Sequence, residues 1–97
     1  MAIVSLGRRE VADFFFDGKR PRRAGWLQVG KIVTRKLDLV HYEHRLDDLQ
    51  SPPANRLEAL KGYRAGFHSI RVNDRWRVVF RWTDQGPEDV DVLDYHQ

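Results

Sequence analysis

The chain contains no cysteine. That absence excludes disulfide staples and thiolate metal sites, and it fits a reducing compartment. Long apolar runs are missing too. No stretch approaches the roughly 20 residues that a membrane-spanning helix needs, so no membrane partner is expected. Near the N-terminus the basic residues Arg8 and Arg9 follow a very short apolar stretch, which is the wrong order for a secretion signal. A cytoplasmic protein is therefore expected. No Gly-rich phosphate loop, nucleophile elbow or dinucleotide fingerprint occurs. Neither a repeat nor a composition shift marks a boundary, so residues 1–97 are read as one domain with a modest core.

What is present suffices for a globular fold: 41% hydrophobic residues, among them three Trp and five Phe with large areas to bury. The net charge of +3 permits a nucleic-acid partner without requiring one. Its distribution says more. Lys19, Arg20, Arg22 and Arg23 form a basic knot around Pro21, while acidic residues gather at Asp47-Asp48 and at Glu88, Asp89 and Asp91.

Periodicity gives the elements. Ala2 to Leu6 is short, apolar and strand-like. Arg8 to Asp17 reads as a helix, with Val11, Phe14 and Phe15 on one face and Gly18 just past its end. From about Arg22 to His44, Trp26, Val29, Val33, Leu37 and Val40 form a second helical stripe, although Gly25 and Gly30 weaken its first half. Ser51-Pro52-Pro53 breaks the chain. Strands are expected at Arg56–Lys61, Phe67–Val72, Arg75–Trp82 and Val90–Tyr95, with a two-residue turn at Asn73-Asp74. The order predicts an α+β fold: a mostly antiparallel sheet with the N-terminal helix pair packed on one face.

Alternation divides the third of these strands. Trp76, Val78, Phe80 and Trp82 fall on a core face, and Arg75, Arg77, Val79 and Arg81 on the other. The second face reads either as a solvated sheet surface or as an anion surface, since guanidinium matches phosphate geometry. His41 and His44 stand three apart on a helix with no third ligand in view, so no metal and no cofactor are expected. His68 alternates with Ile70 and Val72 and reads as an edge-of-core residue. Glu58 and Lys61 fall on opposite faces unless the strand ends near Gly62. The same alternation separates Tyr95 from Asp94 and His96 unless the last strand twists, bulges or stops near Asp94.

Together, Arg56-Leu57-Glu58-Ala59-Leu60-Lys61-Gly62, Ser69-Ile70-Arg71-Val72-Asn73, Trp76-Arg77 and Asp94-Tyr95-His96 resemble the HigB-type toxins of the RelE/ParE superfamily, which belong to bacterial type II toxin–antitoxin systems. The resemblance is close over the last forty or so residues and lies in layout only before them. It implies a RelE-like fold and metal-independent cleavage of mRNA on the ribosome. It also implies a HigA-like helix-turn-helix antitoxin, with operator DNA bound only through that partner. The implied catalytic set is Glu58, Lys61, Arg77, Asp94, Tyr95 and His96. Phosphate contacts are expected from Arg64, Arg71, Arg75 and Arg81 and from the linker residues Lys19, Arg20, Arg22 and Arg23. Glu58 stands where many members carry histidine, and Tyr63 where aspartate is common. Two other classes share parts of the pattern: a ParE-like toxin that binds a protein such as gyrase without catalysis, and an RNA-binding module without chemistry.

Overall fold

The computed structural model describes residues 2–95. His96 and Gln97, the end of the terminal motif, lie outside the described residues.

Helix α1 (Arg9–Asp17) buries Val11 and Phe14, three residues apart on one face, and Gly18 caps it. Helix α2 (Gly30–Tyr42) buries Val33, Leu37 and Val40 at spacings of four and three. The second helix is shorter than its stripe suggests, because Gly25–Val29 forms a 3₁₀ turn instead. Close packing on the sheet accounts for this. A Cβ at position 25 would stand 2.7 Å from Cζ2 of Trp76, so only glycine lets the backbone lie against that indole. The same turn drives Trp26 into the core, edge-on to Phe14 with ring centres 4.8 Å apart.

Among the described residues four strands then form an antiparallel meander: β1 (Glu58–Ala59), β2 (His68–Arg71), β3 (Trp76–Thr83) and β4 (Gly86–Asp94), in that spatial order. The α+β class and the antiparallel sheet agree with the sequence pattern. Val78 sits between Ile70 and Val92 in the register. These three join Phe80, Val90, Val11, Phe14, Trp26, Val33, Leu37 and Val40 in one buried cluster, with Trp76 and Trp82 half-buried at its margin.

Three local expectations are corrected. The N-terminal segment runs parallel to β4 and meets it in a single bridge, Leu6 with Val90, not as a strand. Asp89 interrupts the pairing: it takes φ 52° and its N–H turns to Ser5 Oγ, and among the described residues only the Val4 N–H reaches across to the Pro87 carbonyl beyond it. The strand expected over 56–61 shrinks to Glu58–Ala59, since Arg56 adopts φ 46° and the chain turns away after Lys61. Neither Asn73 nor Asp74 takes a left-handed conformation. Instead Asn73 Oδ1 accepts from the backbone N–H groups of Arg75 (2.9 Å) and Trp76 (2.8 Å), and that side chain shapes the turn.

Candidate active site

Cross-strand register assembles the outer face of the sheet. Arg77 pairs with Leu93 on β4, and Ser69 on β2 pairs with both Val79 and Glu58. Tyr95 lies two residues beyond Leu93, a diagonal neighbour of Arg77 within reach of an aromatic ring. The centre of this face is not the solvated cationic surface that alternation allows. Arg77 is 5% exposed and Val79 3% exposed, whereas Arg75 and Arg81 are open to water.

A groove of about 280 Å³ opens here on an apolar floor of Leu60, Val79 and Leu93. Lys61, Arg64, Arg77, Asp94 and Tyr95 supply its polar lining, and Tyr63 stands at its lip. The Arg77 guanidinium carbon lies 4.2 Å from the centre of the Tyr95 ring. Glu58 Oε1 is 3.7 Å from Arg77 Nη1, and the Tyr95 hydroxyl donates to Glu58 Oε2 at 3.2 Å. Arg77, Tyr95 and Glu58 thus close a three-membered unit from three elements.

Arg77 Nε and Nη1 are buried and make no hydrogen bond among the described residues. An unpaired buried donor costs roughly 1–3 kcal/mol, and more when charged. The Glu58 carboxylate, 3.7 Å from Nη1, offsets part of that cost, and the planar guanidinium fork suits a phosphate. The fold thus holds a largely buried cation at the wall of the groove.

The ending of β4 answers the alternation question for Asp94 and Tyr95. The strand stops at Asp94, so Asp94 and Tyr95 line the same groove. The Tyr95 N–H still donates to the Arg75 carbonyl, which ties this residue to β3. Asp94 sits opposite Trp76, and its Oδ2 accepts from Arg75 Nε at 2.9 Å.

A model of the HigB RelE-like toxin of type II toxin–antitoxin systems matches residues 7–96. The chain belongs to this HigB-like family of RelE-like toxins. Toxin HigB-1 of Vibrio cholerae serotype O1 is 38% identical over 71 residues, which cover 73% of this chain and 74% of that toxin. Among solved structures, a YoeB-YefM complex from Staphylococcus aureus matches over all of this chain and 98% of its own, with a TM-score of 0.56 at 19% identity. A YoeB/ParE toxin from Agrobacterium tumefaciens covers both chains fully, with a TM-score of 0.52 at 20% identity. At these identities the structural matches show the RelE-like fold.

Of the residues that the HigB resemblance singles out, Lys61, Arg77, Asp94 and Tyr95 line the groove, and Glu58 joins it through Arg77 and Tyr95. Arg64 lines it as well. Arg71 is paired with Asp74 at 2.6 Å, and Arg81 with Glu88 at 3.7 Å. Lys19, Arg20, Arg22 and Arg23 are exposed on the segment between the helices, and none of them lines the groove.

The histidines sort by structure. His41 Nδ1 accepts from the backbone N–H of Ile3 at 3.1 Å, and its ring packs edge-on against Phe15 and Tyr42. It anchors the N-terminal segment, a role that its spacing from His44 did not suggest. His68 stacks on Phe80 at the core margin, with ring centres 6.3 Å apart. Among the described residues no group of three or more His, Asp or Glu is placed to hold a metal, and no helix is long and apolar enough to cross a membrane.

Sequence reasoning also missed the pair Lys36 and Asn55. Asn55 is fully buried and donates to the carbonyls of Leu49 and Ser51, while its Oδ1 accepts from Lys36 Nζ. Burial, reinforced by Arg35 and Arg71, lowers the Lys36 pKa below the ordinary lysine value. A Pro-Pro-Ala-Asn run that must turn back beneath a helix was the available signal, since such a turn needs a partner for its carbonyls.

Proposed function

We propose that this toxin is a metal-independent endoribonuclease that cleaves mRNA on the ribosome and so inhibits translation. The observation that carries the reading is Arg77: a guanidinium buried beneath Tyr95 and beside the Glu58 carboxylate at the wall of a groove, with Nε and Nη1 making no hydrogen bond among the described residues. RNA cleavage without a metal uses the 2′-hydroxyl as nucleophile. Glu58 takes the proton of that hydroxyl as the 2′-oxygen attacks phosphorus. The bond from phosphorus to the 5′-oxygen then breaks, and His96, a member of the set that the family resemblance implies, serves as the acid that protonates the leaving oxygen. A 2′,3′-cyclic phosphate and a free 5′-hydroxyl result. Arg77 and Lys61 stabilise the charge on the phosphorane, and Tyr95 orients Arg77 and the phosphate.

Glu58 is favoured as base over Asp94 because its partners hold it more loosely, Arg77 at 3.7 Å and Tyr95 at 3.2 Å, than Arg75 holds Asp94 at 2.9 Å. The exposed arginines and the inter-helix basic knot hold ribosomal RNA through phosphates. A HigA-like helix-turn-helix antitoxin neutralises the toxin in the cytoplasm and alone contacts operator DNA. The name of the Staphylococcus aureus complex, in which a toxin is paired with YefM, supports a protein partner of this kind.

The test is cleavage of mRNA on translating ribosomes in the presence of EDTA-treated toxin, with growth arrest on expression and rescue by a co-expressed antitoxin. The expected result is cut mRNA ending in a 2′,3′-cyclic phosphate. Growth arrest with intact mRNA would instead favour a ParE-like toxin acting on a protein target.

A further inference from the structure

We infer that Tyr63, Arg64, Phe67 and Arg81 form a stacking rail that takes the bases flanking the cleaved phosphate of single-stranded RNA. The inference rests on the endoribonuclease reading above and adds where the neighbouring nucleotides lie.

Tyr63 is 91% exposed at the lip of the groove that holds Arg77 and Tyr95. Its ring is nevertheless carried on a fixed support. Gly62, at φ 68°, starts a tight turn closed by Ala65 N–H to the Gly62 carbonyl and Phe67 N–H to the Arg64 carbonyl, both 3.0 Å. Leu60 N–H then donates to the Phe67 carbonyl at 2.8 Å and ties the turn to the sheet. A large aromatic face held open to water, on a turn with little freedom to lose, is organised for a planar ligand.

Cations continue the line. The Arg64 guanidinium lies 5.5 Å from the centre of the Tyr63 ring and 6.0 Å from that of Phe67, and the Arg81 guanidinium lies 4.7 Å from Phe67. Ring and cation therefore alternate from the groove outward along the sheet face. Arg77 and Arg81 stand four residues apart on β3, roughly 13 Å at strand rise, which is longer than one base is wide. Single-stranded nucleic acid is held in this manner, by π faces that bases stack on and by arginines that follow the backbone. Stacking accepts any base, so the rail positions the strand without reading its sequence.

The experiment is single-turnover cleavage of ribosome-bound mRNA by the unmodified toxin, Tyr63→Phe, Tyr63→Leu and Tyr63→Ala. Each is assayed on normal mRNA and on mRNA with one abasic nucleotide placed in turn at the positions flanking the cut. Tyr63→Ala and Tyr63→Leu should raise the half-saturating toxin concentration roughly 5- to 150-fold, the usual range for one stacked base. Tyr63→Phe should behave as the unmodified toxin does. At one flanking position the abasic mRNA should cost the unmodified toxin the same factor and cost Tyr63→Ala nothing more. Unchanged saturation in Tyr63→Ala, with normal cleavage by the unmodified toxin, would overturn the rail and leave the ribonuclease reading standing. A loss in Tyr63→Phe equal to that in Tyr63→Ala would mean a hydroxyl contact and would overturn stacking. Weaker antitoxin binding with unchanged cleavage would assign the face to a protein. No cleavage by the unmodified toxin would sink both readings.

Discussion

The Tyr95 ring covers the guanidinium of Arg77, with 4.2 Å between the guanidinium carbon and the ring centre. Arg77 comes from near the start of β3 and Tyr95 from just past the end of β4, so the contact exists only once the two strands have paired. It shields a cation that would otherwise be solvated, and a shielded cation attracts an anion more strongly.

Arg77→Ala should therefore lower single-turnover cleavage by roughly 10²–10³-fold, as expected for a lost oxyanion donor. Arg77→Lys should recover only part of this loss, because an ammonium lacks the planar fork and stacks poorly under Tyr95. Rates on programmed ribosomes, with circular dichroism to verify folding, provide the measurement. Full activity in Arg77→Ala would remove this residue from the reaction.

Glu58 and Tyr95 separate by role. Glu58→Gln keeps an acceptor for the Tyr95 hydroxyl but cannot take a proton, so cleavage should fall roughly 10²–10⁴-fold. Tyr95→Phe keeps the ring over Arg77 and loses only the 3.2 Å hydrogen bond, so its loss should be much smaller. Equal losses in the two variants would make Glu58 a positioning residue for Tyr95 and return the role of base to Asp94.

His41→Ala should act on stability and not on catalysis. It removes the acceptor for the Ile3 N–H and the packing against Phe15 and Tyr42. A cost of about 1–3 kcal/mol is expected. His44, which is exposed, should be near neutral when replaced by Ala. Thermal melts of both variants beside their cleavage rates test this. A stable His41→Ala protein would show that the N-terminal segment holds without its anchor.

Lys36 gives a pH dependence. Burial lowers its folded pKa, so the unfolded chain binds its proton more tightly. Between that lowered value and the ordinary value of 10.5 the unfolded state carries more protons, and stability rises with pH. Lys36→Met removes this titration and leaves Asn55 Oδ1 without its donor, at about 1–3 kcal/mol near neutrality. Urea unfolding of both proteins from pH 7 to pH 10 should show the gap between them widening. A constant gap would mean that Lys36 titrates as it does in the unfolded chain.

The elements were legible wherever one periodicity ruled. Val11 with Phe14, the stripe Val33, Leu37 and Val40, and the alternation of Val78 with Phe80 each follow from local geometry, and each is buried where its period places it. The family was legible because Leu60-Lys61-Gly62, Ser69-Ile70-Arg71-Val72-Asn73, Trp76-Arg77 and the terminal Asp94-Tyr95-His96 keep their order along the chain. Tertiary structure alone decided how these residues meet. Alternation is blind to where a strand stops, and the stop at Asp94 let Asp94 line the groove that Arg77 and Tyr95 share. It is equally blind to what covers a face, so Arg77 read as a surface cation until its neighbours buried it. Gly25 against Trp76, His41 beneath Ile3 and Lys36 on Asn55 join residues 19 to 51 positions apart. Contacts at that range depend on the packed arrangement of helices and sheet, which no local period encodes.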